Sequence, residues 1–165
     1  MEDYGHRKDE KGLPVIEDCT KHSFEGYYTS PEVAAAFHGF YNNKNGVFDK
    51  FLNFWDLVSK RFANNDYVIG YDLLNEPWPA NLYYDPLLLI DTTKFDREIL
   101  FPLTQKATRL TLKNAPEKLV FFEPAQFPDS FPLFGGITFK TGFPELPGGN
   151  DKANLQVLND HTYCC

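Results

Sequence analysis

Tyr67-Val68-Ile69-Gly70-Tyr71-Asp72-Leu73-Leu74-Asn75-Glu76-Pro77-Trp78-Pro79 is the stretch on which the fold reading turns. From Tyr67 to Leu74 the residues are mostly β-branched, aromatic or aliphatic, and polar segments lie on either side, which predicts a short buried strand. Pro77 has no N–H to offer a ladder, so pairing stops just after Glu76. Parallel α/β folds gather reactive side chains at the C-terminal ends of their strands, and Glu76 stands at such an end. The plain alternative is a strand-end glutamate facing water.

Upstream, Ser30 followed by Pro31 reads as an N-cap with proline at the first helical position, and Val33, Ala36, Phe37 and Phe40 follow at helical spacing. Asn42-Asn43-Lys44-Asn45-Gly46 breaks that helix. A second is expected from about Val47 to Ala63, with Phe48, Phe51, Leu52, Trp55, Val58 and Phe62 as its apolar stripe. Downstream, a loop carrying Asn81, Tyr83, Tyr84, Asp85 and Pro86 leads to a third helix over roughly Lys94 to Asn114. Pro102 inside it predicts a kink or a late start. Lys118 to Glu123 is the next strand, stopped by Pro124. Phe127 to Gly149 is a Gly/Pro-rich connection, longer than usual and so a functional-loop candidate. Gln156 to Tyr163 is the last expected strand. Strands alternating with helices predict an α/β chain with a parallel sheet.

The 165 residues suffice for one domain, with 42% hydrophobic residues and abundant aromatics: sixteen Phe, nine Tyr and two Trp. A net charge of −7 argues against nucleic acid and against a basic patch for anionic membranes. No run approaches the roughly 20 apolar residues that span a bilayer, and the charged start has no signal-peptide core. Cys19, Cys164 and Cys165 leave at least one thiol outside any intramolecular pair. His161 beside Cys164-Cys165 lacks a second ligand pair at zinc spacing, so no metal or other cofactor is expected. There is no Asn-x-Ser/Thr sequon, no Gly-rich phosphate loop and no Gly-x-Ser-x-Gly elbow.

Three successive strand ends carry polar groups: Asn75-Glu76, Glu123 and His161-Thr162-Tyr163. Asn75-Glu76-Pro77 and the His-x-Tyr two strands later resemble the retaining (β/α)8 glycoside hydrolases. More narrowly, the chain resembles the endoglycoceramidases of glycoside hydrolase family 5. Further stretches carry the likeness: Ile16-Glu17-Asp18-Cys19, Asn45-Gly46-Val47-Phe48-Asp49-Lys50-Phe51, Phe121-Phe122-Glu123-Pro124, Pro147-Gly148-Gly149 and His161-Thr162-Tyr163-Cys164. The resemblance implies a partial (β/α)8 TIM barrel, roughly helix 3 to strand 6, lacking the first and last strands. Residues 1–11 are then a polar tail and 12–165 a partial catalytic domain. A whole barrel takes about 200 residues or more.

The implied activity is hydrolysis of the β-glycosidic bond between oligosaccharide and ceramide in glycosphingolipids, by a retaining double displacement. Glycosphingolipid or oligosaccharide is the implied partner, with possible peripheral contact with lipid surfaces and a secreted or lysosomal setting. By the same resemblance Glu76 is the general acid/base, Asn75 binds the sugar 2-hydroxyl, and His161 and Tyr163 line the cleft beside the nucleophile. Trp78 offers a flat apolar wall for a sugar ring, or else ordinary packing, and Gln126 reaches toward the cleft. Retaining hydrolysis needs a second carboxylate about 5–5.5 Å from the first. The family places it at the end of a seventh strand, beyond Cys165, so the chain alone is expected to be inactive and to fold poorly. Glu123 is the alternative nucleophile, against a structural role. Asp160 should face away from His161, and Asp72 should point the same way as Glu76 in a supporting role. The alternatives are another family-5 β-glucanase or glucosidase, and a catalytically inactive sugar- or lipid-binding protein.

Overall fold

The computed structural model describes residues 7–21, 23, 26, 27, 30–89, 91–125 and 142–161. A short helix α1 (Ile16–Cys19) is followed by α2 (Pro31–Tyr41), α3 (Val47–Phe62), β1 (Gly70–Asp72), α4 (Thr92–Phe95), α5 (Phe101–Asn114), β2 (Leu119–Phe122) and β3 (Gln156–Leu158). The strands form one parallel sheet in the order β1-β2-β3, with Tyr71 opposite Val120 and Val120 opposite Gln156. This is the expected alternation of helices with parallel strands, and it matches part of a (β/α)8 barrel.

Local chemistry explains the helix boundaries. The Ser30 side chain accepts the Val33 N–H, capping α2 as its sequence predicts. Asn43 starts α3, its side-chain oxygen accepting the N–H groups of Phe48 and Asp49. The third helix differs from expectation. It begins at Thr92, and the turn Asp96–Leu100 between α4 and α5 is a wider π-turn. Pro102 lies just beyond that turn. It has no N–H to donate four residues back, and its ring would crowd the Glu98 carbonyl, so the backbone widens there and continues.

The strands are shorter than their apolar runs. Tyr67 and Ile69 are 97% and 74% exposed. Asn65 captures the Tyr67 N–H with its side chain and the Val68 N–H with its carbonyl, bending the start of the run into a turn. Gly70 opens the ladder at a crowded point: a Cβ there would lie 2.5 Å from the Leu119 carbonyl oxygen and 2.9 Å from the Phe121 ring.

The outer face of the sheet carries the core. Tyr71, Leu73 and Val120 pack with Ala107 and Leu112 of α5 and with Phe51, Trp55 and Val58 of α3. A second cluster joins Tyr41, Leu88, Phe95, Leu100 and Ala125. Ala36, Phe37, Phe40, Phe51 and Leu74 line an open apolar groove. Buried Asp96, at the head of the π-turn, accepts the N–H groups of Ala125 and Gly142, both at 2.8 Å. One carboxylate thereby fixes the two ends of the connection between β2 and the approach to β3.

From Arg7 the amino-terminal stretch, read as a polar tail, is tied down. Lys8 bridges Pro14, Asp9 accepts the Lys11 and Leu13 N–H groups, and buried Asp18 pairs with Arg7 and Lys21. Among the described residues no helix is long and apolar enough to cross a membrane. The Cys19 side chain, Cys164 and Cys165 lie outside the described residues.

Candidate active site

β1 delivers Leu73 and Leu74 to a sharp turn, Asn75 to Ala80. Glu76 takes φ +46° and Ala80 φ +55°, both in the left-handed region that side chains other than glycine, asparagine and aspartate avoid. For Glu76 the conflict is doubled, because the residue before a proline is pushed toward extended backbone. Surrounding bonds hold the turn in place. The Glu76 N–H donates to Glu123 Oε2 at 2.7 Å, and the Tyr41 hydroxyl and Ala80 N–H donate to the Trp78 carbonyl at 2.8 and 2.7 Å.

Glu123 stands where β2 ends. It is 2% exposed, and burial pushes its carboxyl up to about 7, with nearby Asp72 adding to the rise and the Glu76 N–H opposing it. β3 continues one bond past its end, the Asn159 N–H donating to the Phe122 carbonyl. That extended step places Asn159 and His161 on one side of the chain. The Asn159 amide donates to Asp72 Oδ2 at 2.9 Å and to Glu123 Oε1 at 3.0 Å. His161 Nδ1 lies 3.0 Å from Glu76 Oε1 and its Nε2 lies 3.3 Å from Glu123 Oε1. The Glu76 contact raises the His161 pKa, against the opposing effect of burial. The result is a closed polar circuit across three strand ends, with Glu76 and His161 partly open to solvent.

The structure brings Glu76, Glu123 and His161 to one rim, as side chains at the C-terminal ends of parallel strands must be. Asn75 is exposed beside Glu76, and Glu76 is the more enclosed. Trp78 is not the open platform the sequence suggested. At 1% exposure its indole has no free face and serves as packing beneath the turn, with Pro77, Pro79 and Ala80 buried around it. Glu123 is 2% exposed, and its oxygens accept from the Glu76 N–H and the Asn159 amide, contacts that fit the structural role weighed against the nucleophile. Asp160 is exposed while His161 turns inward. Asp72 does point toward the site, but its partner is the Asn159 amide. Sequence reading missed Asn159; its place two residues before His161 on an extended segment was the available signal. Gln126 and Tyr163 lie outside the described residues. Among the described residues no group of His, Cys, Asp and Glu has an arrangement suited to a metal ion.

A carboxyl and an imidazole thus stand 3.0 Å apart at the open rim of a parallel sheet. Residues 9–154 match the cellulase family, glycosyl hydrolase family 5, and the chain belongs to that family. It is 34% identical over 157 residues to endoglycoceramidases of Cyanea nozakii and Hydra vulgaris, a match covering 92% of this chain and 28% of each relative. The chain therefore spans about a quarter to a third of the length of these relatives. Endo-glycoceramidase II from Rhodococcus sp., solved with ganglioside GM3, superposes with a TM-score of 0.60 at 26% identity, covering 81% of this chain and 27% of that one. The lactosyl-enzyme intermediate of the same enzyme gives 0.61 at 25% identity, with 81% and 28% covered.

Proposed function

We propose that this chain forms the part of an endoglycoceramidase-like enzyme that carries the general acid/base, running roughly from helix 3 to strand 6 of a (β/α)8 barrel. The observation that carries the reading is the Glu76 carboxyl, held against His161 Nδ1 at the rim of the parallel sheet. The substrate class is glycosphingolipid, cleaved between oligosaccharide and ceramide, as in the enzymes to which this chain is similar. A secreted or lysosomal setting follows from the same similarity.

In this reading Glu76 protonates the glycosidic oxygen as the bond to ceramide breaks. A second carboxylate, at the end of a seventh strand, attacks the anomeric carbon and forms a glycosyl-enzyme. Glu76 then draws a proton from the water that releases the sugar with its configuration retained. His161 holds the spare proton of the pair, since its imidazole faces the Glu76 carboxyl directly. Asn75 binds the sugar 2-hydroxyl, and Tyr163 and Gln126 border the cleft.

The test is Glu76→Gln in the full-length enzyme. The amide keeps the shape and cannot donate its proton, so turnover of a ceramide glycoside should fall about 10²–10⁴-fold. An aryl glycoside with an activated leaving group needs little protonation and should still form the glycosyl-enzyme, which azide should release. Equal losses on both substrates, without azide rescue, rule the role out.

A further inference from the structure

Glu76 is asked to do two things that its local sequence opposes. It sits at positive φ ahead of a proline, and its carboxyl must face one particular nitrogen of His161. A side chain from the neighbouring strand end meets both demands. Glu123 Oε2 accepts the Glu76 N–H at 2.7 Å, the shortest bond of the circuit, and so ties the strained residue to the end of β2. Glu123 is rigid enough for this. It is 2% exposed, and Asn159 Nδ2 donates to its other oxygen.

Glu123 also reaches the histidine of the pair. Asn159 Nδ2 donates to Asp72 Oδ2 at 2.9 Å and to Glu123 Oε1 at 3.0 Å, and His161 Nε2 lies 3.3 Å from the same Oε1. Glu123 Oε1 thus stands against one ring nitrogen while the other, Nδ1, faces Glu76 Oε1 at 3.0 Å.

We propose that Glu123 is the positioning residue of the acid/base: it holds Glu76 in its turn through the backbone N–H, and with Oε1 beside Nε2 it sets the His161 ring so that Nδ1 faces the Glu76 carboxyl. This rests on the acid/base reading of Glu76. Glu123 touches no reacting atom and acts only through its two neighbours.

The experiment compares Glu123→Gln with Glu76→Gln in the full-length enzyme, on a ceramide glycoside and on an activated aryl β-glycoside. Glutamine places an NH₂ where one carboxylate oxygen stood, facing either the Glu76 N–H or the Asn159 amide, so one anchor is lost. A misplaced acid costs about 10²-fold on the ceramide glycoside and less than about threefold on formation of the aryl-derived glycosyl-enzyme. Equal losses on the two substrates, or no loss on either, overturn the proposal. If Glu76→Gln shows leaving-group dependence and Glu123→Gln does not, only the positioning role fails. If Glu76→Gln shows none, the acid/base reading itself fails. Hydrogen exchange at the Glu76 amide in the unmutated enzyme gives a readout that survives any folding defect of the variants: an amide protected by its bond to Glu123 supports the proposal, and one that exchanges as fast as an exposed loop amide overturns it.

Discussion

Replacing Asp96 should open the connection between β2 and β3 at both ends at once. Its carboxylate is 1% exposed and accepts the Ala125 and Gly142 N–H groups at 2.8 Å each. A hydrogen bond to a charged group contributes about 1.5–3 kcal/mol net, and Asp96 accepts two of them. Asp96→Ala should therefore cost about 3–6 kcal/mol, a large share of the 5–15 kcal/mol or so that holds an ordinary domain together. Asp96→Asn keeps one acceptor oxygen and turns an NH₂ toward the other N–H, so about half the loss is expected. Urea unfolding of the full-length enzyme gives the magnitude. Hydrogen exchange at Ala125 and Gly142 gives the location, with both amides losing protection in the alanine variant and only one in the asparagine variant. The reasoning fails if the two variants are equal and cost under about 1 kcal/mol, or if the Gly142 amide exchanges no faster than before.

The raised Glu123 carboxyl makes stability depend on pH. Its folded value of about 7 exceeds the ordinary 4.5, so the folded state holds the proton more tightly, and stability falls as pH rises across that window. Melting temperatures at pH 5 and pH 8, about the two sides of the window, should differ in that sense, and Glu123→Gln should flatten the difference. Gly70→Ala should cost about 1–3 kcal/mol, because the new methyl meets the Leu119 carbonyl and the Phe121 ring. Gly39→Ala, inside α2 with Lys44 side-chain carbons no nearer than 3.6 Å, should instead gain about 0.5–1 kcal/mol; denaturation of the pair checks the contrast.

What was legible in the sequence was periodic or punctuated. The stripe of Phe48, Phe51, Leu52, Trp55 and Val58 marked a helix packed on the core, although Phe62 at its end is exposed; Ser30-Pro31 marked a helix start and Pro124 the end of β2, whereas β1 pairing stops at Asp72, well before Pro77. The family and the placing of Glu76 and His161 on one rim followed from those marks. Trp78 misled because a tryptophan beside a strand-end glutamate has the same sequence whether it lies above the turn or beneath it. Tyr67 and Ile69 misled because strand-like composition says nothing of the Asn65 turn that removes them from the ladder. The π-turn is a compromise between Pro102 and the packing on both sides of it, which no local rule contains. Glu123 was read as either nucleophile or scaffold, and only its partners on two other strand ends distinguish these.

The extended step from Val157 through Asn159 to His161 makes chain length a matter of parity. A strand shows alternate residues to opposite faces, so the amide and the imidazole reach Glu123 and Glu76 only because an even number of positions separates them from each other and from Val157. Inserting or deleting one residue between Leu158 and His161 would turn the ring away while leaving every residue type intact. In evolutionary terms, drift in length is closed to this segment in single steps.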